Sequence, residues 1–219
     1  MSYPILEFDP APTAMIEPSK LLRPQDVPAH CVICFFKEVI DQVVSERKAR
    51  VLLEHHWEDG PHPLYEIELD GKRLAFYHPG IGGPLSAGLM EDIIARGCCK
   101  FIACGGAGVL AKDIAVGKLI VLTSAVRDEG TSYHYLPPSR EVTAQPAGVK
   151  ALTDTLEGAG VPYIAGKTWT TDAPYRETAG KVAARRAEGC LAVEMEAASM
   201  MAVAAFRGVS YGQVLYGGD

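Results

Sequence analysis

The chain has 219 residues, of which 48% are hydrophobic and 22% charged, and its formal net charge at pH 7 is −6. This acidic balance argues against a nucleic-acid partner, because no basic stripe is present to neutralise phosphates. No apolar run approaches the roughly 20 residues of a membrane span, and the first residues lack the basic start and apolar core of a signal peptide. We therefore expect a cytoplasmic protein that does not contact a membrane.

The six cysteines lie mostly in apolar runs, which is typical of reduced core thiols in a cytoplasmic protein. Cys31-Val32-Ile33-Cys34 has the spacing of a redox motif. It lies inside an apolar strand, however, and no second cysteine pair or histidine follows at metal-binding distance. A core role is the favoured interpretation.

Residues 1–28 are rich in proline and show little periodicity, which predicts an arm, of the kind that often packs on a neighbouring subunit. The single domain is predicted to span residues 29–219. Within it, the predicted strands are 30–36, 50–55, 64–69, 73–78, 99–104, 118–124, 162–168 and 209–216. The predicted helices are 37–48, 84–96, 147–159 and 176–188, and a further helix follows the Glu-Met-Glu segment. This alternation predicts an α/β fold, with a mixed, mostly parallel central sheet covered by helices on both faces.

Ligands of such sheets bind beyond the carboxyl ends of the strands, where four segments are expected to meet. Two are glycine-rich turns, Pro79-Gly80-Ile81-Gly82-Gly83-Pro84 and Cys104-Gly105-Gly106-Ala107-Gly108. Their backbone N–H groups are suited to an anion, although each alone is more often a tight turn. The third segment is Thr170-Thr171-Asp172, in which a lone aspartate most simply caps the next helix. His134 lies in a further polar patch that is either part of a site or a plain loop.

The fourth segment, Glu194-Met195-Glu196, carries the strongest signal. Residues two apart point to the same side only in an extended chain, and the alanine-rich stretch that follows favours a helix. The segment is therefore predicted to join a strand to a helix. Two adjacent carboxylates suit the vicinal hydroxyls of a sugar, and without such donors their burial would be costly. Without its flanking glutamates, Met195 would be ordinary core.

These residues resemble the nucleoside phosphorylase/nucleosidase superfamily, which includes purine nucleoside phosphorylase, uridine phosphorylase and methylthioadenosine nucleosidase. The resemblance covers residues 29–219. It rests on Glu194-Met195-Glu196-Ala197-Ala198, Gly105-Gly106-Ala107-Gly108, Ala115-Val116-Gly117-Lys118 and Thr170-Thr171-Asp172. It implies cleavage of an N-glycosidic bond, no cofactor besides phosphate as co-substrate, and a homo-oligomer that is a dimer or a hexamer built as a trimer of dimers.

The resemblance also implies roles for individual residues. Glu194 and Glu196 hold the ribose hydroxyls, Met195 packs on the sugar, and Asp219 acts on the departing base as in purine-cleaving members. The phosphate is expected at Gly82, Gly83, Gly105, Gly106 and Lys37. The base is expected at Trp169, Thr171 and Tyr175, since Pro174 stands where the family has a stacking phenylalanine.

The chain departs from the family in its phosphate residues. Ala103 and Gly106 stand where phosphorylases usually carry an arginine and a serine or threonine. A bidentate arginine fork is thus not visible, and the possible substitutes are Lys37, Arg127 and Arg50 of a neighbouring subunit. The hydrolases instead carry a glutamate near the first helix, close to Glu38. For this residue a solvated first-turn carboxylate is the favoured interpretation.

The leading hypothesis is a phosphorylase acting on a purine ribonucleoside. The alternatives are a phosphate-independent nucleosidase that uses Glu38, uridine phosphorylase specificity, and a nucleoside-binding protein without catalysis. Family members continue past the aspartate with a further helix. Because this chain ends at Asp219, either it is a truncated form, which is the favoured interpretation, or Asp219 is not catalytic here.

Overall fold

The computed structural model describes residues 3–111 and 114–218 and confirms the predicted alternation of strands and helices. The helices are α1 (Pro18–Leu21), α2 (Lys37–Glu46), α3 (Gly83–Arg96), α4 (Pro146–Gly158), α5 (Ala179–Ala187) and α6 (Ala197–Arg207). The strands are β1 (His30–Cys34), β2 (Arg50–Trp57), β3 (Gly60–Leu69), β4 (Lys72–Tyr77), β5 (Lys100–Val109), β6 (Leu119–Asp128), β7 (Glu141–Thr143), β8 (Tyr163–Thr171), β9 (Cys190–Glu194) and β10 (Ser210–Gly217). The short strand β7 and helix α1 were not predicted.

All of these strands belong to one mixed sheet. The strands β4, β1, β5 and β10 pair in parallel, as do β6, β8 and β9, whereas β2, β3 and β7 join by antiparallel pairing. Strand β5 pairs with both β10 and β9, so the pairings run from β5 through β10, β6, β8 and β9 back to β5. The β6–β10 and β5–β9 pairings that join the two parallel groups are antiparallel, and the overlap of β5 with β9 at Gly108 and Val109 brings the carboxyl ends of these two strands together.

The glycine-rich turn predicted after residue 104 is wrong, because β5 continues through it to Val109. Gly105 and Gly106 lie opposite Leu215 and Tyr216 of β10, and Gly108 lies opposite Val193 of β9. With a ladder partner throughout, the backbone stays extended despite the low strand propensity of glycine. A side chain at Gly105 would place its Cβ 2.9 Å from the Phe35 ring, so the glycine serves close packing rather than a turn.

The core lies on both faces of the sheet, as the α/β prediction requires. On β1, Cys31 belongs to the main cluster with α3 and α6, whereas Cys34 belongs to a cluster with Ile40 of α2 and Phe76. Both cysteines are free thiols, buried and directed to opposite faces. The spacing thus reflects strand alternation rather than a redox pair.

The described part of the N-terminal arm, residues 3–28, lies against its own chain. Glu17 is 2% exposed and forms an ion pair with Arg207 of α6 at 2.9 Å, and Arg207 also binds Glu91 of α3 at 2.6 Å. Closer to the domain, the backbone N–H of Gln25 donates to the Arg96 carbonyl at 2.9 Å. A buried charge pair and a backbone hydrogen bond therefore fix the course of this segment.

Helix α4 packs so closely on β10 that we expect a single methyl group to destabilise the protein. A Cβ at Gly148 would lie 1.9 Å from the backbone carbonyl oxygen of Tyr211, and backbone atoms cannot move aside cheaply. We expect Gly148→Ala to lower the free energy of unfolding by about 3 kcal/mol. Chemical denaturation would measure this change.

Gly158, on the same helix, provides the matched control because a Cβ there would have no atom within 4 Å. We expect Gly158→Ala to be neutral or to stabilise by about 0.5–1 kcal/mol, since alanine loses less backbone freedom on folding. Equal effects of the two substitutions would show that the α4–β10 contact is not rigid.

None of the helices in the described residues is long and apolar enough to cross a bilayer.

Candidate active site

The Glu-Met-Glu segment lies at the junction predicted from the sequence. Strand β9 ends at Glu194, two bends follow, and α6 begins at Ala197. Glu194 and Glu196 are each 7% exposed, whereas Met195 is partly exposed. The junction therefore presents two nearly buried carboxylates at the carboxyl edge of the sheet.

Glu194 is held by three hydrogen-bond donors. Its Oε1 accepts the Thr170 hydroxyl at 2.6 Å, and its Oε2 accepts the backbone N–H groups of Glu196 at 2.8 Å and Ala197 at 2.6 Å. Burial and the neighbouring Glu196 charge raise the pKa of Glu194 to about 7, although these donors oppose the rise. The carboxylate thus satisfies the first amides of α6 and retains little capacity for a ligand.

Glu196 has more acceptor capacity left. Its Oε1 accepts the Gly82 N–H at 2.5 Å, and the backbone of Met195 gives a second interaction. Burial raises the pKa of Glu196 above its ordinary value, and these backbone donors limit the rise. Since a carboxylate offers about four acceptor positions, Glu196 can still accept hydroxyl groups of a ligand.

The loop between β4 and α3 forms the glycine-rich turn that was predicted, with positive φ at Gly80 (74°) and Gly82 (85°). The N–H of Gly82 donates to Glu196 and is therefore not directed at a phosphate, contrary to the prediction from the sequence. Gly83 begins α3, and a Cβ there would lie 2.4 Å from Ser199 Oγ and 3.0 Å from Thr131 Oγ1. Its glycine therefore permits close packing of α3 on α6.

His78 precedes this loop and was missed in the sequence, where the only signal is its position just before Pro79-Gly80. Its Nδ1 accepts the Gly80 N–H at 3.0 Å, which places the proton of the neutral ring on Nε2. Burial lowers the pKa of His78, and its ring centroid lies 6.4 Å from that of Phe35. The ring also forms a hydrogen bond with the Phe35 backbone, so contacts with Gly80 and Phe35 fix it at the carboxyl end of β4.

The three cations that were considered for phosphate bind other groups in the structure. Lys37 is largely exposed and pairs with Asp41 of its own helix. Arg127 is 4% exposed, and its guanidinium donates to Ser132, Ser139 and the carbonyl groups of Leu136 and Pro137. Arg50 binds Glu66 of its own chain.

Of the residues expected at the base, Trp169 is a wrong prediction. Its side chain is fully buried and packs with Val126 and Val193, and its Nε1 donates to Asp128 at 3.0 Å. Alternation along β8 explains this, because Thr170 faces Glu194 and Trp169 points to the other side. Thr171 is also buried, and its hydroxyl accepts the Ala173 N–H at 3.2 Å. Tyr175 is fully exposed.

Asp172 was expected to cap the following helix. Instead it accepts the Gly130 N–H at 2.8 Å, and burial raises its pKa. Helix α5 is instead capped by Thr178.

The polar patch around His134 proves to be a packed network. Its centre is the buried Glu129, which accepts the Ser199 hydroxyl at 2.7 Å and the Ser132 N–H at 2.9 Å.

Two other predicted residues have simple outcomes. Glu38 is exposed in the first turn of α2, as the favoured interpretation held. Asp219 lies outside the described residues, so its expected role stays a prediction.

Comparisons with known proteins agree with this geometry. A sequence model described as "Phosphorylase superfamily" matches residues 29–219. Uridine phosphorylase of Salmonella typhimurium is 29% identical over an alignment of 164 positions, which covers 68% of this chain and 65% of that protein. Guanosine phosphorylase of Halorubrum lacusprofundi is 31% identical over 151 residues, which are 69% of this chain and 63% of that protein.

The fold is also that of a solved structure. Uridine phosphorylase from Vibrio fischeri aligns with a TM-score of 0.79 at 24% identity, covering 90% of this chain and 81% of that one. The chain thus covers less than two thirds of the length of both of these curated relatives. The family match over residues 29–219, the shared fold and the buried Glu-Met-Glu junction lead to one conclusion: this chain belongs to the phosphorylase superfamily.

Proposed function

We propose that this protein is a nucleoside phosphorylase, which cleaves the N-glycosidic bond of a ribonucleoside with phosphate to give the free base and ribose 1-phosphate. The observation that carries the proposal is the buried junction at Glu194 and Glu196, in a chain whose family match covers residues 29–219. In this reaction Glu196 accepts the ribose hydroxyls and Met195 packs on the sugar. Phosphate is the co-substrate, and the reaction as proposed needs no further cofactor.

The chemistry follows from charge and position. As the base departs, the ribose ring gains positive charge, and the Glu196 carboxylate in its nearly buried position stabilises that charge more strongly than water would. Phosphate then attacks the anomeric carbon. Because phosphate needs little activation, most of the acceleration comes from holding the two reactants in line.

Uridine is the substrate that we propose first. The relatives from Salmonella and Vibrio carry the name uridine phosphorylase, which supports uridine more than the purine expected from Asp219. The match to the guanosine phosphorylase of Halorubrum supports a purine nucleoside as the alternative substrate. In that case Asp219 acts on the departing base.

Hydrolysis by water is a second candidate reaction, and one observation favours it. Arg127, the buried cation among those considered for phosphate, has its guanidinium engaged by two serine hydroxyls and two carbonyl groups of its own chain. In this case water attacks the anomeric carbon, and the ribose contacts of Glu196 are unchanged.

The test is base release from uridine, inosine, guanosine, adenosine and methylthioadenosine, with and without phosphate. We expect release from uridine that requires phosphate and yields ribose 1-phosphate. Equal release without phosphate would replace phosphorolysis by hydrolysis. Nucleoside binding without release in any mixture would overturn both reactions.

A further inference from the structure

Thr170 and Glu194 form a buried contact that the proposed reaction does not use directly. The two residues lie opposite each other in the parallel pairing of β8 with β9, and Thr170 is fully buried. The Thr170 hydroxyl donates to Glu194 Oε1 at 2.6 Å and accepts the Ala198 N–H at 3.0 Å. One hydroxyl therefore ties the carboxylate to the first turn of α6.

The same carboxylate fixes the backbone that carries Glu196. Its Oε2 accepts the N–H groups of Glu196 and Ala197, so Glu194 and Thr170 together bind three consecutive amides at the start of α6. Helix starts leave such amides without partners inside the helix. The orientation of Glu196 thus depends on Glu194 as the acceptor of these amides, and the ionised carboxylate is the stronger acceptor.

The surroundings of Glu194 disfavour its ionised form. The titratable groups that face it are Glu196, whose charge repels it, and Tyr211 of β10, whose pKa burial raises well above the ordinary range. Burial and Glu196 raise the pKa of Glu194 to about 7, whereas the Thr170 hydroxyl and two amides lower it. Because the hydroxyl donates to the carboxylate, it favours the ionised form.

We propose that Thr170 is a positioning residue that keeps Glu194 ionised as an acceptor for the first turn of α6 and thereby sets Glu196 against the ribose. The inference rests on the proposed function for its kinetic consequence only. Its physical content concerns a proton on Glu194 and is measurable without any reaction.

Thr170→Val removes the hydroxyl at nearly constant volume and is the main variant. Thr170→Ser restores the hydroxyl. The matched control is Thr168→Val, because Thr168 is also fully buried on the same face of β8 but donates only to the Ala192 carbonyl, at 3.2 Å.

The first measurement is the pH profile of kcat/KM for base release. Hydrogen bonds to charged groups contribute about 1.5–3 kcal/mol, so we expect Thr170→Val to lower kcat/KM about 10- to 100-fold at neutral pH. The acid limb of the Thr170→Val profile should move to higher pH, because without the hydroxyl Glu194 takes up its proton at a higher pH. Thr170→Ser should restore the wild-type profile, and Thr168→Val should leave the acid limb in place. An unmoved acid limb in Thr170→Val would overturn the proposal.

The second measurement needs no substrate. Proteins labelled with ¹³C at glutamate side-chain carboxyls are titrated by NMR, with Glu194→Gln identifying the Glu194 signal. We expect Thr170→Val to raise the pKa of Glu194 and Thr168→Val to leave it unchanged. An equal pKa in wild type and Thr170→Val would overturn the proposal even if activity falls. If wild type cleaves no nucleoside but the titration moves as expected, the proposed function fails and the role of Thr170 stands.

Discussion

Replacing Glu196 with glutamine is expected to lower kcat/KM for nucleoside cleavage by about 1000-fold, because the carboxylate charge acts on a ribose that becomes positive in the transition state. The amide oxygen of glutamine can still accept the Gly82 N–H that binds Glu196 Oε1 at 2.5 Å. We therefore expect the melting temperature to change little. Steady-state kinetics with uridine and phosphate, together with thermal unfolding, measure the two effects.

Glu68→Gln provides the control, because it removes the same charge at a position of β3 that is exposed. We expect wild-type kinetics from it. Wild-type rates in Glu196→Gln would remove Glu196 from the ribose and leave the proposed mechanism without its central group. A loss of folding in Glu196→Gln would instead show that the charge mainly supports the loop at Gly82.

Much of the fold followed from local sequence patterns. The alternation of apolar strands with helices predicted the α/β sheet, and the contrast between an extended Glu-Met-Glu segment and an alanine-rich helix located the junction at Glu194. These features depend on periodicity and on residues close in the chain. For the same reason the core role of Cys31 and Cys34 could be inferred from the strand that contains both.

The errors come from contacts between distant segments. Gly105 and Gly106 have the composition of a turn, but β10, more than 100 residues later, supplies a strand partner. Trp169 was expected to contact a ligand, whereas it packs with Val126 and Val193, its neighbours on the paired strands β6 and β9. The burial of Thr170 against Glu194 likewise depends on the pairing of β8 with β9, which no local pattern reveals.

Removal of the Arg207 side chain is expected to destabilise the protein strongly. Its side chain is 18% exposed and lies between two carboxylates that are nearly buried, Glu17 at 2.9 Å and Glu91 at 2.6 Å. Arg207→Met keeps an apolar stem but leaves both carboxylates without their partner. Since an uncompensated buried charge is strongly destabilising, we expect the free energy of unfolding at pH 7 to fall by about 3–5 kcal/mol. Urea denaturation measures this change, and faster proteolysis within residues 3–28 should accompany it.

The pH dependence provides a further check on Arg207. Burial raises the pKa of Glu17, but the Ala14 N–H and Arg207 outweigh it, so the net pKa lies below the ordinary value. The stability that Glu17 contributes in wild type is present above its unfolded pKa and is lost as pH falls. In Arg207→Met the Glu17 carboxylate can take up a proton instead, so the difference in the free energy of unfolding between variant and wild type should narrow from pH 7 towards pH 4.

Arg140→Met is the matched control, because Arg140 is 62% exposed and pairs with Glu188 at the surface. Exposed ion pairs contribute little, so we expect a loss of at most about 1 kcal/mol and no faster cleavage of the arm. If Arg207→Met cost no more than Arg140→Met, the pair with Glu17 would not be what holds the arm on the domain. A large loss with an intact arm would assign the stability to the contact between α3 and α6 through Glu91.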